Sequence, residues 1–159
     1  GQPIVFEMLV NNTTNVIPGR LLKQSNTDGE VVVCTAAGNP IGWCGYEQAS
    51  AYYTDGHSIS TAFAANDYCP VLCGGHFVIL GSGNAAITMG QPLVPAANGQ
   101  VAAAAAISAT VAAGTTTVLS TSSNPATTVA GSFPAGGIIV GIAMESIASA
   151  GNILVLSLI

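Results

Sequence analysis

The side chains in this 159-residue chain that could do chemistry are four cysteines, two histidines and seven carboxylates. Cys34, Cys44, Cys69 and Cys73, with His57 and His76, are the types that ligate zinc. A zinc knuckle favours two residues between its cysteines, whereas Cys69 and Cys73 are separated by Pro70, Val71 and Leu72. No spacing brings the histidines into a ligand set, and no metal is expected. If residues 67–73 are extended, Cys69 and Cys73 lie ~13 Å apart at ~3.3 Å per residue. A disulfide needs Cα atoms within about 7 Å. A bridge from either would therefore go to Cys34, Cys44 or a neighbouring chain, and buried thiols are the alternative; both readings stay open.

Catalytic arrangements are not legible. His57 and Asp55 could join one of many serines, but no G-x-S-x-G turn presents a nucleophile. Glu7, Glu30, Glu47 and Glu145 offer carboxylates, and no local pattern selects the pair that glycoside hydrolysis requires. A phosphate-cradling glycine loop would need a following helix and usually a lysine, and neither follows here. The expectation is that the chain is not an enzyme and carries no cofactor. Trp43, Tyr46, Tyr52 and Tyr53 cluster within a dozen residues; they suit a cap on a barrel core, or anchors of an interface.

The elements that would position these residues are strands. No sustained spacing of three and four marks an amphipathic helix. Short runs rich in Val, Ile and Leu, at Ile4 to Val10, Glu30 to Thr35, Asp67 to Leu72, His76 to Leu80, Ile138 to Ala143 and Ile153 to Leu158, predict strands. Asp28-Gly29, Gly38-Asn39-Pro40, Asp55-Gly56, Asn98-Gly99 and Gly151-Asn152 predict turns between them. Many short strands at such spacing imply an all-β barrel or sandwich.

An internal repeat refines this. Gly19, Leu22, Gly29 and Val31 recur as Gly90, Leu93, Gly99 and Val101, and Ile41-Gly42 recurs as Val140-Gly141. Each copy reads as a strand, a turn, a second strand, and a third beginning with an aliphatic residue and glycine. The expected organisation is an N-terminal arm or edge strand (1–15), a first β-unit (16–86) and a diverged second unit (87–159). The second is interrupted by a long inserted hairpin or loop, rich in Ala, Ser and Thr (102–136).

Composition narrows the function further. Only 6% of residues are charged, against about 25% in an average soluble domain, so the chain has little protection against association and suits a life packed among neighbours. Two basic residues, Arg20 and Lys23, face seven acidic ones. That balance cannot build a phosphate-binding footprint, which excludes nucleic acid and disfavours an anionic membrane. The apolar stretch from Gly137 to Ile159 is broken by Glu145 and Gly151-Asn152 and reads as buried strands instead of a membrane span.

The segments Val16-Ile17-Pro18-Gly19-Arg20-Leu21-Leu22, Asp28-Gly29-Glu30-Val31 and Ile138-Ile139-Val140-Gly141-Ile142-Ala143-Met144-Glu145, followed by Ala148-Ser149-Ala150-Gly151 and a final apolar strand, resemble the capsid decoration (cement) proteins of tailed bacteriophages. The resemblance covers about half the chain. It implies small β-barrel or β-tulip-like units, a trimer on the outer surface of the virion, and the major capsid protein as partner. Four cysteines and two units instead of one depart from that pattern. In such a setting the apolar segment containing Gln2, Ile4, Phe6 and Met8 could add a strand to a neighbour. An extracellular filament or surface-layer subunit is the alternative, and a carbohydrate-binding module stacking sugars on Trp43 is another.

Overall fold

In a computed structural model of the chain, residues 2–11, 16–36, 38–46, 61–105 and 138–159 are described. They form two closed five-stranded barrels. The first contains β1 (Ile4–Val10), β2 (Leu21–Gln24), β3 (Glu30–Val33), β4 (Gly42–Cys44) and β5 (Tyr68–Cys73). The second contains β6 (Val78–Gly83), β7 (Pro92–Pro95), β8 (Val101–Ala103), β9 (Gly141–Ala143) and β10 (Gly151–Ser157). A single 3-10 turn at Ala97–Gly99 is the helical structure among the described residues.

Both barrels are wound alike. In the first, the strand order is β1-β3-β2-β4-β5, with β1 and β3 parallel and the other neighbours antiparallel. In the second, β6, β8, β7, β9 and β10 take the same places, and β6 and β8 are the parallel pair. The registers superimpose residue by residue. Leu22 pairs with Val33 and Gly42 as Leu93 pairs with Ala103 and Gly141. The turns repeat as well: Gly19 N–H donates to Cys44 O as Gly90 N–H donates to Ala143 O, and Asn11 N–H to Val31 O as Asn84 N–H to Val101 O. Two diverged copies of one barrel, as the repeat implied, are what the chain folds into.

Several boundaries differ from the sequence expectation. Ile4–Val10, expected within an arm or edge strand, is a strand of the first barrel: it pairs with β5 along most of its length and with β3 at Leu9 and Val10, and Val10 sits in the core. The division between barrels falls between Cys73 and Val78, so β6 pairs in the second barrel although it precedes residue 87. Gly151-Asn152 is the exposed start of β10, held opposite Gly83 and Ser82, and not a turn. Ala102 and Ala103, the start of the expected insertion, belong to β8; residues 106–137 lie outside the described residues.

The core of the first barrel is Val10, Val16, Leu22, Val31, Cys44, Phe63, Cys69 and Val71. The second is built on Ile79, Ile87, Leu93, Val101, Val140, Ala143, Ile153 and Val155. Leu21, Cys34 and Trp43, all from the first barrel, belong to this second core. In β4, Gly42, Trp43 and Cys44 are all buried. A strand buried on both faces has a core on one side and a second packed surface on the other.

Candidate functional site

The most elaborate constellation in the chain is the contact between the barrels. Alternation along β2 and β4 sends Leu22 and Cys44 into the first barrel and turns Leu21 and Trp43 outward. Leu21, Trp43 and Leu72 are cross-strand neighbours in one row and cover the end of the second barrel. Trp43 is fully buried, and its indole N–H donates to Ser157 Oγ at 3.0 Å. Ser157 Oγ also donates to Ile159 O at 3.1 Å, so the one buried polar residue among the described residues is satisfied. A Cβ on Gly81 would meet the Trp43 ring at 3.1 Å, so glycine there makes room for the indole.

Backbone groups complete the contact. Gly99 N–H donates to Cys34 O at 2.8 Å, and Arg20 Nη1 donates to Asn98 O at 3.0 Å. The Tyr46 hydroxyl donates to Leu80 O on the outer edge of β6. Gly19, at φ +78, lies against that same carbonyl, where a Cβ would collide with it. Burial raises the Tyr46 phenol, with a further push from Cys44. Burial also raises the Cys34 thiol, partly offset by the charge of Lys23 and by a hydrogen bond with the Thr35 backbone.

The four cysteines are thiols in this structure. Cys34, Cys44 and Cys69 are buried and Cys73 is half-buried. Cys69 and Cys73 both lie on extended β5, which keeps them too far apart to bridge. Cys34, Cys44 and Cys69 pack in the two cores as small apolar groups. His76 is exposed, while Glu47, Asp55, His57, Tyr52 and Tyr53 lie outside the described residues. Trp43 cannot act as a sugar-stacking platform because it is fully buried. It does cap a barrel, though the core it closes is the other barrel's; its sequence neighbourhood alone could not reveal that.

Of the interface residues expected near the N-terminus, Gln2 is exposed and Met8 half-buried, packed at the rim of the first core. Ile4 is 61% exposed, Val5 57% and Phe6 37%. The outer edge of β1 is paired with β3 only at Leu9 and Val10, so residues 4–8 present a strand edge beside exposed apolar side chains. Unpaired strand edges and clustered exposed apolar side chains are the features that association uses.

The described residues thus form two fused β-barrels, and the comparisons put the chain among phage capsid-associated proteins. The chain belongs to the XM1 gp53 minor capsid protein family, whose model matches residues 3–155. The fold is similar to that in the crystal structure of the head fiber gp8.5 N base in bacteriophage phi29. The TM-score is 0.51 at 14% identity, over 98% of this chain and 93% of that one. No curated protein matches. Membership of a minor capsid protein family gives the chain a structural role in the virion.

Proposed function

We propose that the protein is a decoration (cement) protein: a homotrimer that binds the outer surface of the phage head where major capsid subunits meet and stabilises the shell. Membership of a minor capsid protein family carries this reading. The exposed strand end at Ile4, Val5 and Phe6 supports it as an element that can pair with a neighbouring protein. The scarcity of charge supports it too, because a surface covered by neighbours does not need charged side chains to stay soluble.

The test uses DNA-filled heads lacking the protein. Purified protein added to these closed heads should co-sediment with them saturably and raise the temperature at which the genome is released. Absence of binding to closed heads refutes the outer location, and binding without a change in release temperature refutes the stabilising role. Deletion of residues 1–10 is not a suitable probe, because it would remove a barrel strand; substitutions at Ile4 and Phe6 leave β1 in place.

A second reading is the base of a head fibre, favoured by a likeness that runs along nearly the whole chain to a head-fibre base. Electron microscopy of heads carrying the protein separates the two, since a fibre base must bear a projection and a cement protein need not.

A further inference from the structure

The contact between the barrels uses each of its two faces once, although the chain contains each face twice. Superimposing the registers pairs β1 with β6, β2 with β7, β3 with β8, β4 with β9 and β5 with β10. The row that covers the second barrel, Leu21, Trp43 and Leu72, has as its counterpart Pro92, Ile142 and Leu156, which are again cross-strand neighbours. The end that receives it, with Ile79 on β6 and Phe77 just before it, has as its counterpart Phe6 and Ile4 on β1.

Burial separates the used faces from the unused ones. Phe77 and Ile79 are 7% and 4% exposed, against 61% and 37% for Ile4 and Phe6. Gly19 is buried against Leu80, whereas its counterpart Gly90, with the same positive φ, is exposed and would have nothing near a Cβ. Gly99 is buried against the Leu21 backbone, whereas its counterpart Gly29 is exposed and equally open. The receiving end of the first barrel is thus open at Ile4 and Phe6, while on the outer row of the second barrel Gly90 and Pro92 are exposed and Ile142 and Leu156 half-buried.

The geometry points to the open end of the first barrel, at Ile4 and Phe6, as the docking site for the Pro92–Ile142–Leu156 row of a second copy of this chain. The contact would repeat, between molecules, the one that joins the barrels within a molecule. This inference does not depend on the cement reading. The sizes of the facing side chains support it. Within the chain a large indole, Trp43, sits over Gly81. At the open faces the Trp43 position holds Ile142 and the Gly81 position holds Met8, so a smaller knob meets a fuller socket at similar combined volume. Gly29 N–H would reach Ala104 O as Gly99 N–H reaches Cys34 O. The Tyr46 hydroxyl is not repeated: Glu145 stands there, and its carboxylate accepts from Leu154 N–H at 2.7 Å. The intermolecular contact is therefore the weaker of the two. Because its two faces differ, it is head-to-tail, and it closes into a ring or continues as a filament according to the rotation per copy.

The test is native mass spectrometry and light scattering of the full chain across a concentration series. The wild type should self-associate. Ile4→Asp with Phe6→Asp, which damages the socket, and Ile142→Asp, which damages the row, should each weaken self-association by at least about tenfold, since each puts an unpaired carboxylate into an apolar contact. Pro92→Glu, at an exposed position, should act in the same direction if Ile142→Asp perturbs folding. Unchanged Trp43 fluorescence confirms that the variants are folded. Mixing the socket variant with the row variant leaves one intact face on each and should give a 1:1 dimer that grows no further. A monomeric wild type, an Ile142→Asp chain that assembles like the wild type, or a mixture that stays monomeric would each overturn the inference.

Discussion

Trp43 is where the two barrels are joined, and truncating it should destabilise the whole described body. A buried indole removes about 200 Å² from water, worth about 5 kcal/mol at about 25 cal/mol per Å². Alanine keeps little of that, and measured truncations of core Phe and Trp cost about 3–5 kcal/mol. The hydrogen bond to Ser157 Oγ accounts for about 1 kcal/mol of the loss. Trp43→Ala should therefore cost about 4 kcal/mol, a large share of a total stability of about 5–15 kcal/mol. Trp43→Phe keeps a ring, loses the N–H donor and leaves a partial void, and should cost about 2 kcal/mol. The assay is urea unfolding followed by far-UV circular dichroism. In the wild type the chain's one tryptophan provides a second probe, with blue-shifted emission that moves red on unfolding. The two probes should give one coincident transition, because the indole is attached to one barrel and packed in the core of the other. A loss below about 1 kcal/mol for Trp43→Ala, or two separated wild-type transitions with fluorescence following only one, would refute a shared core.

Three further outcomes follow from the same contact and its thiols. Gly19→Ala should cost clearly more than Gly90→Ala: both carry the left-handed penalty of about 1–2 kcal/mol, but only at Gly19 does the methyl group also collide with the Leu80 carbonyl; thermal melts of the two variants measure the difference. Burial raises the Cys34 thiol and the Tyr46 phenol, so each binds its proton more tightly in the folded chain than in the unfolded one. The stability this gives is complete below the ordinary thiol range and declines as pH rises through the raised folded values. Tm should accordingly hold steady at neutral pH and fall above about pH 9, and Cys34→Ala should shrink that fall. A chromogenic thiol reagent should modify Cys73 first and leave Cys34, Cys44 and Cys69 protected until denaturant is added, and reductant should change neither mass nor Tm.

The sequence made some strands easy to find and hid others, for identifiable reasons. β1, β3 and β10 are runs of Val, Ile and Leu long enough for composition to mark them. β2, as Leu-Leu-Lys-Gln, and β7, as Pro-Leu-Val-Pro, are short and lack a repeating alternation, so they emerge only as members of the repeat. β8 reads as the start of an alanine run because Ala102 and Ala103 follow a single valine. Gly151-Asn152 has turn chemistry but opens β10 at exposed positions, where pairing with Gly83 and Ser82 overrides local preference. The proposed docking site was legible in part. Ile4 and Phe6 stand out as apolar residues in a charge-poor segment, whereas the Pro92–Ile142–Leu156 row is spread over three strands and becomes a surface only once they pair.

A duplicated barrel joined through unlike faces has a geometric consequence that a two-fold contact would not have. If the copies met through the same face, fusion would use both copies of it and leave the chain closed. Here the first barrel offers its outer row and the second its end, so each barrel keeps one unused face. Those unused faces have kept apolar character, with Ile4 and Phe6 on one and Pro92, Ile142 and Leu156 on the other, and one carboxylate beside each, Glu7 and Glu145. A monomer selected to stay apart would be expected to carry lysine or glutamate on an edge such as Ile4–Met8; Glu7 is the one such residue there. The scarcity of charge across the chain and the apolar character of these two faces are what the proposed packing of one copy against another requires.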